Sequence, residues 1–121
     1  MSYSRENKFR NLSSMLILLD ENLPHELRHL LGDHDVRTVA YQGWCGLVNG
    51  KLLRTAEAAG FEVFVTSDQS IQYQQNRTGA RMAILVLSTN ARTVTLESAE
   101  KITTAISLIA AGMIRRLDLN G

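Results

Sequence analysis

Short strand-like runs alternate with stretches of helical period along this chain, and that alternation leaves few folds open. Met15 to Leu19 is continuously apolar, as a strand covered on both faces must be. Asp35 to Val39 is short and β-branched, Phe61 to Thr66 and Met82 to Leu87 repeat the strand pattern, and Met113 to Leu119 suits a terminal strand. After the first run, Leu23, Leu27, Leu30 and Leu31 recur at helical spacing. Asn22 is the expected cap of that helix, Pro24 falls in its first turn, and Gly32 stops it. A loop holding Gly43, Trp44, Cys45 and Gly46 precedes a second helix, expected to be capped by Asn49 and to end at Gly60. A polar, Gln-rich stretch from Ser67 to Gly79 suits one or two helical turns. A last long helix is expected from about Thr95 to Ala110, with Ile102, Ile106 and Ile109 on a stripe that suits either a core or a homodimer seam. Strands alternating with helices imply βαβ units and parallel pairing. The expectation is a three-layer α/β/α sandwich around a mostly parallel sheet of four or five strands.

At 121 residues the chain has the length of one domain, expected over 15–121 behind a polar tail of residues 1–14. Thirteen Lys and Arg against twelve Asp and Glu exclude a globally basic nucleic-acid binder, so any polyanion must meet a local patch. A lone cysteine, Cys45, excludes an internal disulfide framework and a Cys-rich zinc site. The longest apolar run falls far short of the ~20 residues that a bilayer span needs. The polar opening segment lacks the apolar stretch of a signal peptide. A cytoplasmic domain without membrane association is expected.

Ligands of an open parallel sheet collect beyond the carboxyl ends of its strands, where strand order reverses. The first run ends in Asp20-Glu21-Asn22, the third in Thr66-Ser67-Asp68 and the fourth in Ser88-Thr89-Asn90. Were the first and third strands neighbours, about 4.8 Å apart, Asp20 and Asp68 would reach one ion between them. A hard cation such as Mg²⁺ or Mn²⁺ takes oxygen ligands, commonly one or two carboxylates plus water. Asp20 is the first metal and catalytic candidate and Asp68 the second. Glu21 joins them only if the chain turns immediately after Leu19, because adjacent strand residues face opposite sides. The bland alternative is that Asp20 caps a helix and Asp68 organises a turn. His25 and His29 stand at i, i+4, yet no glutamate-containing zinc motif surrounds them, so they read as surface residues. Cys45 has no sequence-local activator and reads as an indifferent or buried thiol. Lys51 and Arg54, one helical turn apart, are candidate phosphate holders, as is Arg77 in the Gln-rich stretch. The amides, Tyr73 and Arg77 of that stretch suit single-stranded RNA as well as they suit a solvated loop.

Leu18-Leu19-Asp20-Glu21-Asn22-Leu23-Pro24, His34-Asp35-Val36, Gly43-x-x-Gly46, Leu52-Leu53-x-x-Ala56 and Val65-Thr66-x-Asp68 follow one another in order. Together they resemble the small PIN-like family of bacterial and archaeal proteins of unknown function, a compact branch of the PIN nuclease superfamily. The resemblance spans about Met15 to Leu87. It implies a three-layer sheet, an acidic Mg²⁺ or Mn²⁺ pocket built on Asp20, Glu21 and Asp68, and single-stranded RNA as substrate class. It also implies a place in a toxin–antitoxin pair, with a small antitoxin protein as partner. Where many members of that family carry Asp, this chain has Asn49 and Ser70.

Three functions follow as alternatives. In a metal-dependent ribonuclease, Asp20 and Asp68 hold the ion, and Asn49 and Ser70 orient water. Lys51, Arg54, Arg77 or Ser70 then contact the substrate. A catalytically degenerate PIN-like module would keep the sheet and its binding surface without hydrolysis. A receiver-like phosphoacceptor domain also pairs acids after the first strand with an acid after the third, but the lysine it needs after the fifth is not visible near Met113 to Asn120.

Overall fold

The computed structural model describes residues 14–71 and 81–120. Its five strands are β1 (Leu16–Leu19), β2 (Asp35–Thr38), β3 (Val63–Thr66), β4 (Ala83–Leu87) and β5 (Ile114–Leu117). All pairs are parallel, in the order β2-β1-β3-β4-β5. A 3-10 helix, His25–His29, joins β1 to β2, and α1 (Asn49–Ala58) joins β2 to β3. Two further helices, α2 (Arg92–Glu97) and α3 (Ala99–Leu108), join β4 to β5. The domain is therefore α/β with an all-parallel sheet.

Parallel strands need a crossover, and each crossover lays apolar side chains on a sheet face. Alternate residues along each central strand go to opposite faces. Ile17 and Leu19 of β1, Val63 and Val65 of β3, and Ala83, Leu85 and Leu87 of β4 share one cluster with Leu27, Ile102 and Ile106. Leu18, Phe64, Ile84 and Val86 share the other with Leu52, Leu53 and Ala56 of α1. This two-sided burial is why the strands read as unbroken apolar runs rather than as alternating ones. Ile102 and Ile106 are fully buried in the first cluster and Ile109 packs against it, so this stripe serves the core.

Three expectations about helices are corrected. The segment after β1 is a five-residue 3-10 helix and not an α-helix through Leu31. Pro24 precedes it with extended backbone (ψ 125°), and i→i+3 bonds close it, from Leu27 N–H to Pro24 C=O and from Leu30 N–H to Leu27 C=O. Leu23, Leu27 and Leu31 are still buried, whereas Leu30 is 45 % exposed, so the stripe narrows to three residues. Asn22 makes no cap; its carbonyl accepts from Asn90 Nδ2 at 3.1 Å. Asn49 is the first residue of α1, following a Val48 cap that makes no side-chain bond. The last long helix is two helices that meet at Ser98. There Ser98 Oγ donates to the Val94 carbonyl at 2.7 Å and its N–H is shared between Val94 and Thr95, which tightens the turn and redirects the axis. In the Gln-rich stretch a short 3-10 turn covers 69–71, and the expectation for 72–80 lies outside the described residues, as does the tail over 1–13. No helix among the described residues is long and apolar enough to cross a membrane.

Candidate functional site

The chain leaves β1 outward to β2 and returns to pair β3 on the other side of β1, so strand order reverses between β1 and β3. Leu19 stands opposite Val65 in the ladder. One residue further, Asp20 N–H donates to the Val65 carbonyl at 2.9 Å, which sets the Asp20 carboxylate beside Thr66. Thr66 is fully buried, and its hydroxyl donates to Asp20 Oδ2 at 2.6 Å. The Thr66 hydroxyl oxygen in turn accepts Asp68 N–H at 3.0 Å. Thr66 thus links the two acids: it binds the side chain of one and the backbone of the other.

Asp20 Oδ1 accepts the Glu21 N–H at 2.8 Å. Leu23 N–H bonds the Asp20 carbonyl at 3.1 Å, so the chain turns at once after β1. The condition for Glu21 is met, and Asp20 and Glu21 line one cleft of about 510 Å³ together with His25, Arg28, Thr38 and Tyr41. Asp68 stands two residues beyond β3. Its Oδ1 accepts both the N–H (3.0 Å) and the Oγ–H (2.7 Å) of Ser70, so Ser70 holds the carboxylate in a tight turn.

Burial is the main cause that raises the Asp20 pKa above the ordinary carboxylate value. The Thr66 hydroxyl and the Glu21 N–H oppose the rise, while the charges of Glu21 and Asp68 add to it. The structure brings Asp20 and Glu21 together in one cleft, whereas Asp68 is not among the residues that line it and acts on Asp20 through its charge and through Thr66. Among the described residues no group of three or more His, Cys, Asp or Glu side chains is arranged to hold a metal ion.

Several supports escaped the sequence reading. Gln69 Nε2 donates to the Leu87 carbonyl at the end of β4 (2.8 Å) and to the Ser67 carbonyl (3.0 Å). Arg116 of β5 donates to Gln69 Oε1 (3.0 Å) and to the Gln69 carbonyl (3.3 Å), clamping the turn that carries Asp68. Only the topology, which brings the β3 turn against β4 and β5, makes that latch visible. Cys45 is exposed, and the neighbouring Glu21 carboxylate pushes its thiol pKa up, which makes it a poorer nucleophile. Trp44 sets this loop in place by an edge contact with Phe61, ring centres 5.8 Å apart.

The other candidates are more dispersed. Lys51 and Arg54 are exposed on α1, whose first turn lies at the carboxyl edge of the sheet, and neither lines the Asp20 cleft. Asn49 opens that helix, and Arg77 lies outside the described residues. His25 and His29 are exposed, and on a 3-10 helix residues four apart no longer share a face. Comparison of the chain with family models, with curated proteins and with solved structures gives no match.

Proposed function

We propose that this chain is a PIN-like, three-layer α/β/α domain that hydrolyses single-stranded RNA with a bound Mg²⁺ or Mn²⁺ ion. The supporting observation is the pair Asp20 and Asp68 at the carboxyl ends of adjacent strands, at the point of strand reversal, tied through one buried hydroxyl. Asp20 and Asp68 hold the cation, with Glu21 beside them. When bound, such an ion lowers the pKa of a water and offsets charge on the phosphodiester. Thr66 keeps the Asp20 oxygen oriented, Ser70 holds the Asp68 carboxylate in its turn, and the Asp20 cleft admits the RNA strand. By the same resemblance, the protein is a cytoplasmic toxin held in check by a small antitoxin protein.

The test is cleavage of a labelled single-stranded RNA in Mn²⁺ by the full chain beside Asp20→Asn and Asp68→Asn. Each substitution is expected to lower the rate by at least about a hundredfold, as loss of a metal-holding group does. Equal rates in the three proteins remove the proposal. Calorimetric titration with Mn²⁺ separates an active site from the degenerate module, which predicts no heat at millimolar metal.

A second reading draws support from strand order, because β2-β1-β3-β4-β5 is also the order of flavodoxin-like sheets, receiver domains among them. The chemistry favours the nuclease. Asp118, Leu119 and Asn120 follow β5, with no lysine there, and Ser70 already occupies Asp68 Oδ1 twice. A stable acyl-phosphate on Asp68 after treatment with a small phosphodonor would reverse that preference.

A further inference from the structure

The Asp20 cleft does not end at His25 of the 3-10 helix or at the sheet edge. A second hollow, of about 600 Å³, runs along the outer side of β2 and is lined by residues 34–38 with Arg28, His29 and Tyr41. Arg28, Thr38 and Tyr41 line both hollows, so the two join at these three side chains. β2 is an edge strand, and its four residues make a trough about 13 Å long at about 3.3 Å per residue.

The chemistry of the junction is specific. Tyr41 is 73 % exposed, a large ring presented to solvent beside the groove, where burial in the core would be the apolar default. Arg28 is exposed and pairs with no carboxylate among the described residues; its Nε–H donates to His29 Nε2 at 3.0 Å. Arg37 is held by Asp35 through two bonds of 3.0 and 3.3 Å, which fixes it along the trough while cancelling its charge. The groove therefore offers one uncompensated guanidinium, an exposed ring, a threonine hydroxyl and imidazoles. A ring for stacking and a guanidinium for phosphate are the two elements of a single-stranded nucleic-acid track. An acidic peptide would use the guanidinium but leave the ring without a partner.

We infer that single-stranded RNA lies along the β2 edge and enters the acidic cleft past Arg28 and Tyr41, with Tyr41 as the base-stacking platform and Arg28 as a phosphate contact. This inference rests on the nuclease reading for the direction of the strand, and it moves the substrate contacts from Lys51 and Arg54 of α1 to the β2 edge beside the 3-10 helix, which packs on the other sheet face. No cleavage step is involved, so binding is measured apart from hydrolysis.

Fluorescence anisotropy of a labelled oligouridylate, with a chelator present and at two salt concentrations, tests it on the full chain. Tyr41→Ala is expected to weaken binding at least about fivefold, the lower bound for loss of one stacked base. Tyr41→Phe keeps the ring and is expected to restore affinity. Arg28→Ala is expected to weaken binding and to lower the salt dependence by about one phosphate contact. Lys51→Ala and Arg54→Ala are expected to change affinity less than twofold. Unchanged affinity in Tyr41→Ala and Arg28→Ala overturns the inference, as does loss of affinity confined to Lys51→Ala and Arg54→Ala. So does an acidic peptide that displaces the RNA and binds Tyr41→Ala as well as wild type. Circular dichroism of each variant controls for folding. Should binding follow the expected pattern while Mn²⁺-dependent cleavage is absent, the track stands and the nuclease reading falls.

Discussion

Thr66 has one hydroxyl proton to give, and the backbone decides where it goes. Because Oγ1 already accepts the Asp68 N–H, that proton is directed at Asp20. Thr66→Val keeps the shape and removes both bonds, the one to the half-buried Asp68 N–H and the one to the Asp20 carboxylate oxygen. It is expected to cost about 1–3 kcal/mol in urea denaturation, with Thr66→Ser recovering most of it. The same residue scale sets a pH dependence. Folding raises the Asp20 pKa above the unfolded value near 3.8, so proton binding favours the folded chain. That contribution is fully present below the unfolded value and is lost as pH rises through the folded one. At neutral pH ionised Asp20 therefore weakens the fold. Asp20→Asn is expected to be more stable than wild type at about pH 7, with the margin closing as pH falls toward about 4; urea midpoints across that range check it.

At the scale of elements, Gly60 and Arg116 show two kinds of control over the site. Gly60 ends α1 at φ 94°, and a Cβ there would meet no atom within 4 Å, so the cost of a side chain is in the backbone alone. Gly60→Ala is expected to destabilise by about 1–2 kcal/mol, read from thermal or urea unfolding. Arg116 acts at a distance: by clamping Gln69 it fixes the turn that aims Asp68. Arg116→Ala is expected to lower RNA cleavage about tenfold or more while changing stability by roughly 0.5 kcal/mol or less, which a parallel rate and denaturation series resolves. The central strands β1, β3 and β4 are legible in sequence because two-sided burial writes them as apolar runs, and α1 because Gly60 marks its stop. The outer strands β2 and β5 carry Asp35, Arg37, Arg115 and Arg116 and show only in their remaining β-branched and apolar residues. The 3-10 helix and the Ser98 break are not legible. Leucines four apart report which side is buried and not the winding, and a serine back-bonded to the preceding turn looks like any helical serine. Asp20 and Asp68 are legible as strand-end acids, whereas Thr66, Gln69 and Arg116 acquire roles only once β3, β4 and β5 lie side by side.

For the whole molecule, a cation that binds only the folded chain adds stability by mass action. With free Mn²⁺ at a hundred times its dissociation constant, the gain is about 2.7 kcal/mol, expected as a raised melting temperature that Asp20→Asn lacks. Among the described residues, the parallel sheet that creates the site also leaves β2 and β5 with one unpaired side each. Each outer strand bears charge: the Asp35–Arg37 ion pair on one, and the exposed Arg115 and Arg116 on the other. A further copy attempting to extend the ladder at β5 would bring arginines against whatever strand it offered, and at β2 it would have to part an ion pair first. The open-ended sheet is thereby guarded against fibrillar growth by its own rims, and replacing Arg115 and Arg116 with isoleucine is expected to convert a well-dispersed protein into one that aggregates, as light scattering would register.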